Sequence, residues 1–226
     1  MTGLLTCARG RGRLSPEQVE LAGLPLLSAT LFLPPRLSER GLERRLRALE
    51  GALLARRVER VVTADFPYLD RLERLRPVDP VPLYQGLADV LILGWLAEHG
   101  IPPERARVIL AGPNLCGALR ACAQRLCPRV RALGVETGGA GEAFARSLRA
   151  RWGLPELPPG AAADLRVAFG PCSGPARLRL YDPPGLDGLR LTLPARPLPP
   201  ALEPQLLTLL WERGQAARED LAVLRA

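Results

Sequence analysis

Arg107-Val-Ile-Leu-Ala-Gly112, Val130-Arg-Ala-Leu-Gly-Val-Glu136 and Leu165-Arg-Val-Ala-Phe-Gly170 are three short β-branched or apolar runs, separated by two amphipathic helical patterns. Strand-length runs alternating with helix-length periodic segments predict a βαβαβ unit. Such a unit builds a parallel sheet flanked by helices, and the carboxyl ends of its strands open on a ligand crevice.

Working outward, Gly3 to Cys7 reads as a short strand and Arg9-Gly-Arg-Gly-Arg13 as a flexible basic loop. Ser15-Pro-Glu-Gln18 has helix-start chemistry: a capping Ser, Pro at the first helical position and Gln where a capping box expects it. Leu26 to Leu33 reads as a strand closed by Pro34-Pro35. Ser38 then caps a long helix with Leu42, Leu46, Leu49 and Leu53 on its buried face and a Glu43/Arg47 pair outside. Arg60 to Asp65 is a further strand candidate. The Pro-rich crossing Arg76-Pro-Val-Asp-Pro-Val-Pro82 marks a boundary, placing a smaller α/β region at residues 1–76 and a larger domain at 83–226. The two regions are free to share one sheet. In the second, Leu83 to His99 is a helix ended by Gly100. Arg177 to Tyr181 and Leu189 to Leu193, joined through Asp182-Pro-Pro-Gly185, suggest an antiparallel edge. Helices follow at Leu202 to Trp211 and near Gln215 to Leu224.

The formal charge is +8, and all 31 basic residues are Arg. Together with 22 Gly, 24 Pro and abundant Ala, this is the bias that GC-rich codons produce, so the charge alone does not indicate nucleic acid. The excess sits early: residues 1–76 hold 14 Arg against 9 acidic residues. Aromatic residues are only 4% of the chain and none lies in the first thirty positions, which argues against a nucleic-acid stacking platform. Five Cys without a CxxC pair and a single His argue against a metal site. The apolar run Leu87 to Ala97 contains Asp89 and is about half the ~20 residues of a membrane span. No secretory leader pattern is visible at the N-terminus, and a reduced, cytoplasmic protein is the expectation. Oligomeric state is not indicated.

The βαβαβ stretch resembles the Rossmann dinucleotide-binding fold, whose fingerprint is a strand running into G-x-G-x-x-G with an acidic residue about 20 positions on. Here Gly112-Pro-Asn-Leu-Cys-Gly117 follows a strand, and Glu136 ends the next one. Gly112 and Gly117 match the first and third glycines; Asn114 replaces the second, where a side chain would crowd a pyrophosphate. The resemblance covers about 65 residues. It implies a nucleotide or dinucleotide ligand, with Glu136 accepting from a ribose 2′-hydroxyl and favouring NAD over NADP. On the residues alone, Gly112-Pro113 reads equally well as a sharp turn with Asn114 as the N-cap of the next helix. A P-loop is excluded, because Ala118 and Leu119 stand where Lys and Ser/Thr are required.

Thr137-Gly-Gly-Ala-Gly141 is a second glycine-rich turn, able to present the backbone N–H groups of Gly138 and Gly139 to an anion. Gly170-Pro-Cys-Ser-Gly174 adds Cys172 and Ser173 to the same edge, and Asp65 joins it if the N-terminal strands run in parallel with the rest. Cys172 lacks a partner base, since His99 falls at a helix C-terminus and therefore near the opposite edge. Cys116 and Cys127 lie three helical turns apart and read as small core residues. No residue stands out as a catalytic acid or base, so enzymatic activity stays open. The expectation is a Rossmann-like α/β protein binding a nucleotide-like small molecule at Gly112, Asn114, Gly117, Glu136, Gly138, Gly139, Cys172 and Ser173. The alternative is a non-catalytic Rossmann-like binding or regulatory protein without a nucleotide cofactor.

Overall fold

The computed structural model describes residues 1–153, 157 and 162–225. The chain forms two compact units, one comprising Met1–Pro80 with Ala195–Ala217, the other Val81–Pro194 with Arg218–Ala226. The Pro-rich crossing runs up to the boundary. Residues 195–217, expected with the larger domain, group with the first unit.

The first unit is built on β1 (Thr2–Arg9), with β3 (Leu24–Leu33) and β4 (Arg60–Val62) parallel on either side. β2 (Glu17–Leu21) closes one edge antiparallel to β3, and β5 (Arg76–Pro77) runs parallel beside β4. Helix α1 (Glu39–Leu54) carries the chain from β3 to β4; the Ser38 Oγ accepts from the Gly41 N–H at 3.2 Å, as capping requires. Its buried row Leu42, Leu46, Leu49 and Leu53 packs in one core with Leu5, Leu27, Ala29, Leu31 and Val61. Glu43 meets Arg47 at 3.5 Å.

The helix expected after Ser15 is instead strand β2. Leu21 and Leu24 pair across a two-residue turn in which Ala22 and Gly23 both have positive φ, 52° and 71°. Two left-handed residues give the primed turn that matches strand twist. That hairpin leaves five residues before the turn, too few for a helix that stands without tertiary help.

In the second unit α2 (Val81–Gly86) and α3 (Ala88–Glu98) replace the single helix expected over 83–99; the break falls at Leu87, and Gly100 ends α3 with φ of 64°. The βαβαβ expectation is met: β6 (Arg107–Ala111), α4 (Gly117–Leu126), β7 (Ala132–Glu136), α5 (Ala140–Trp152) and β8 (Leu165–Ala168) alternate. With β9 (Leu178–Arg179) they form a wholly parallel sheet in the order β7-β6-β8-β9. The third strand therefore lies beside the first, on the side away from the second. This is doubly wound, but it is the order of the flavodoxin type rather than that of the dinucleotide-binding halves. The two regions do not share a sheet, so Asp65 belongs to the edge of the other sheet and not to this one.

The antiparallel edge is also differently made. β9 joins the parallel sheet, while β10 (Leu189–Thr192) pairs antiparallel with β11 (Ala222–Arg225) in a separate two-stranded sheet. β11 and a short 3₁₀ turn, Arg218–Asp220, occupy the segment expected to be a second C-terminal helix. The Val223 side chain explains the override: a Cβ at Gly94 would sit 2.5 Å from it, so the strand seats a branched side chain on a bare patch of α3. The helix over 202–211 is present as α6 (Glu203–Glu212). It is tied to the first unit by the Arg60–Glu212 pair at 2.7 Å and the Thr63 N–H bond to Gln205 Oε1 at 2.7 Å. Among the described residues no helix is long and apolar enough to cross a membrane.

Candidate functional site

Reversal of strand order at β6 fixes where a cleft must form. From β6 the chain leaves toward β7 on one side, and from β8 toward β9 on the other, so the loops after β6 and β8 part and leave a hollow at their carboxyl ends. Parallel pairing carries on past the strand ends. The Gly112 N–H donates to the Glu136 carbonyl at 3.0 Å, and the Phe169 N–H to the Ala111 carbonyl at 2.8 Å. Pro113 is the point where the three loops converge. A Cβ at Gly170 would come within 2.7 Å of its ring, and one at Gly138 within 3.3 Å of its carbonyl oxygen.

The resulting cleft holds about 730 Å³. Of the residues expected there, Gly112, Glu136, Gly138, Cys172 and Ser173 line it; Asn114, Gly117 and Gly139 do not. Asn114 is not the N-cap either. Helix α4 starts three residues later, with Cys116 in the cap position and no side chain bonded to its first turn. Cys127 is buried as expected, while Cys116 is only half-buried. His99 does not line the cleft: its ring stacks on Trp95 at 3.7 Å and its Nδ1 bonds the Trp95 carbonyl at 2.8 Å.

The residue missed is Arg166. Register sets Ile109 opposite Arg166 and Ala111 opposite Glu136, so the period of two along a strand puts both charged side chains on one sheet face, straddling β6. They meet over the small Ala111: Arg166 Nη1 lies 2.5 Å from Glu136 Oε2, each side chain about a fifth exposed. Arg166 Nη2 also donates to the Ser173 carbonyl at 2.7 Å, fixing the loop after β8. Two polar atoms of this pair, Glu136 Oε1 and Arg166 Nε, are buried with no protein hydrogen-bond partner. One charge within an otherwise apolar, parallel-sheet strand was the available signal for Arg166.

A second hollow of about 820 Å³ adjoins the first, sharing Arg166, Cys172 and Gly174. It carries Arg177 and Arg179, with Asp164 and Asp187 already engaged by the Arg107 backbone N–H and the Trp95 indole, both at 2.7–2.8 Å. One end of the combined groove thus holds the Glu136–Arg166 pair, the other two further guanidinium groups. Among the described residues no cluster of His, Cys, Asp and Glu is suited to a metal ion.

No protein-family model matches the chain, and no curated protein does. Among solved structures, a shikimate 5-dehydrogenase-like protein is similar at 9% identity over 74% of this chain, with a TM-score of 0.27. The alignment spans 65% of that protein's length, just under two thirds.

Proposed function

We propose that the second unit binds a small molecule of the nucleotide class along this groove, with ribose-type hydroxyls at Glu136 and Arg166 and an acidic group toward Arg177 and Arg179. The observation that carries this reading is the half-satisfied Glu136–Arg166 pair at the strand-order switch. A buried carboxylate oxygen and a buried guanidinium N–H without partners are unfavourable by about 1–3 kcal/mol each, a debt that a ligand hydroxyl able both to donate and to accept would cancel. NAD fits only in part. Glu136 lines the cleft and its Oε1 lacks a partner that a ribose hydroxyl would supply, but Asn114 and the first turn of α4 lie off the cleft, so a pyrophosphate cradled there has no support. A mononucleotide, with its phosphate on Arg177 and Arg179, uses the charges better.

Thermal-shift measurements with AMP, ATP, NAD, NADP and S-adenosylmethionine test this. At about 100 times the dissociation constant a ligand adds ~2.7 kcal/mol, an increment of roughly 5–10 °C for a chain of this size. Glu136→Gln and Arg166→Ala are expected to abolish the increment, each judged against its own unliganded midpoint. No increment with any of the five, or increments that survive both substitutions, would refute the proposal. The displacement of Asn114 and α4 from the cleft favours a second reading, a small di- or tricarboxylate held by Arg166, Arg177 and Arg179. A shift with citrate or succinate and none with nucleotides would select it.

A further inference from the structure

The first unit carries a basic cluster that has no part in that groove. At the carboxyl ends of β1 and β3 the chain turns through Gly10-Arg11-Gly12-Arg13 and through Pro34-Pro35-Arg36. The first of these turns, expected to be flexible, is pinned twice. The Gly10 N–H donates to the Leu33 carbonyl at 2.9 Å, extending the β1–β3 ladder, and Gly12 lies flat on the Phe32 ring, where a Cβ would fall 2.5 Å from the ring carbons. The two prolines, with φ fixed by their rings, stiffen the facing wall.

Between these walls is a hollow of about 590 Å³ lined by Arg11, Arg36 and the half-buried Arg45 of α1, together with Gly12, Pro34 and Pro35. Among the described residues, no carboxylate lines it. Among the described residues, none of the three guanidinium groups has a hydrogen bond or ion pair. Three like charges gathered on rigid backbone repel one another, and an anion with more than one negative charge relieves that repulsion at once. Guanidinium forks match phosphate oxygens bidentately, so phosphate is the preferred chemistry. The Phe32 ring face is covered by Gly12 and, among the described residues, no aromatic residue lines the hollow, so nucleic-acid bases would find no stacking surface. We infer that this hollow is a binding site for the diphosphate group of a small ligand, separate from the groove in the second unit.

The test titrates pyrophosphate into the full-length protein at low ionic strength and follows the heat. Arg45→Gln and Arg36→Gln are each expected to weaken binding roughly tenfold, the loss of one charge-assisted contact. Arg105→Gln, an exposed arginine of the other unit, should leave affinity unchanged, while Arg179→Gln reports any binding in the other groove. All four variants must keep the unfolding behaviour of a folded protein, which surface arginines permit. The inference is overturned by absence of binding, by an equal loss in Arg105→Gln, or by a loss confined to Arg179→Gln, which would place pyrophosphate in the other groove. A ten-nucleotide single strand binding more tightly than pyrophosphate would also overturn it, reassigning the surface to nucleic acid.

Discussion

Asp89 is 4% exposed, and burial of a carboxylate at that depth is tolerated only because two guanidinium groups meet it. Arg218 Nη1 lies 2.5 Å from Oδ2 and Arg125 Nη1 3.4 Å from Oδ1, while both arginines also donate to the Gly86 carbonyl. The same contacts explain why the helical run over 83–99 breaks where it does, since the carbonyl at Gly86 is taken by side chains. Asp89→Asn leaves Arg218 without its counter-charge, and urea denaturation should show a loss of about 3 kcal/mol. Cys122, buried beside this cluster, has its thiol pushed well above the ordinary value of 9.0, first by desolvation and then by the Asp89 charge. Folding therefore favours the protonated thiol. The stability this confers is complete below about pH 9 and is lost as pH rises beyond it, because the unfolded chain then releases its proton first. Cys122→Ala should flatten the fall of stability between pH 8 and pH 10 measured by denaturation; an unchanged slope would exclude the thiol as its source.

At the scale of elements, the strongly periodic pieces were legible. Leu42, Leu46, Leu49 and Leu53 predicted α1 with its Ser38 cap, and the three β-branched runs predicted β6, β7 and β8. Misreadings came where a local signal competed with a partner distant in sequence. Ser15-Pro-Glu-Gln has the chemistry of a helix start, yet Glu17–Leu21 is claimed by the edge of β3; Gln215 to Leu224 has helical composition, yet Val223 is claimed by the bare surface at Gly94. The site showed the same division: Gly112, Glu136, Gly138, Cys172 and Ser173 follow from strand ends, whereas Arg166 reaches the cleft only through a register that no sequence motif encodes. Two changes test these elements. Ala22 sits in the left-handed region that disfavours a Cβ, so Ala22→Gly should stabilise the β2–β3 hairpin by ~0.5–1 kcal/mol in a denaturant midpoint. Gly94→Ala should destabilise by roughly 1–3 kcal/mol through overpacking, and Val223→Ala in the same chain should recover part of that loss.

For the whole molecule, the chain leaves the first unit at Pro80, returns over Ala195–Ala217 and ends in the second. Neither unit is a continuous segment. A fragment of residues 1–80 lacks α6, and with it the partners of Arg60 and Thr63, so it should show weak, uncooperative unfolding by circular dichroism; the same fragment joined to residues 195–217 should regain a cooperative transition. The formal charge of +8 is likewise not spread evenly in effect. Arg177 and Arg179 line the second hollow of one unit, and Arg11, Arg36 and Arg45 line the hollow at the strand ends of the other. The central claim is that the Glu136–Arg166 pair is a ligand contact rather than a structural clasp. A crystal structure of the protein grown with AMP tests it most directly: ribose hydroxyls are expected within hydrogen-bond distance of Glu136 Oε1 and Arg166 Nε, with the phosphate toward Arg177 and Arg179. Nucleotide density elsewhere, or none beside an unchanged pair, would contradict it.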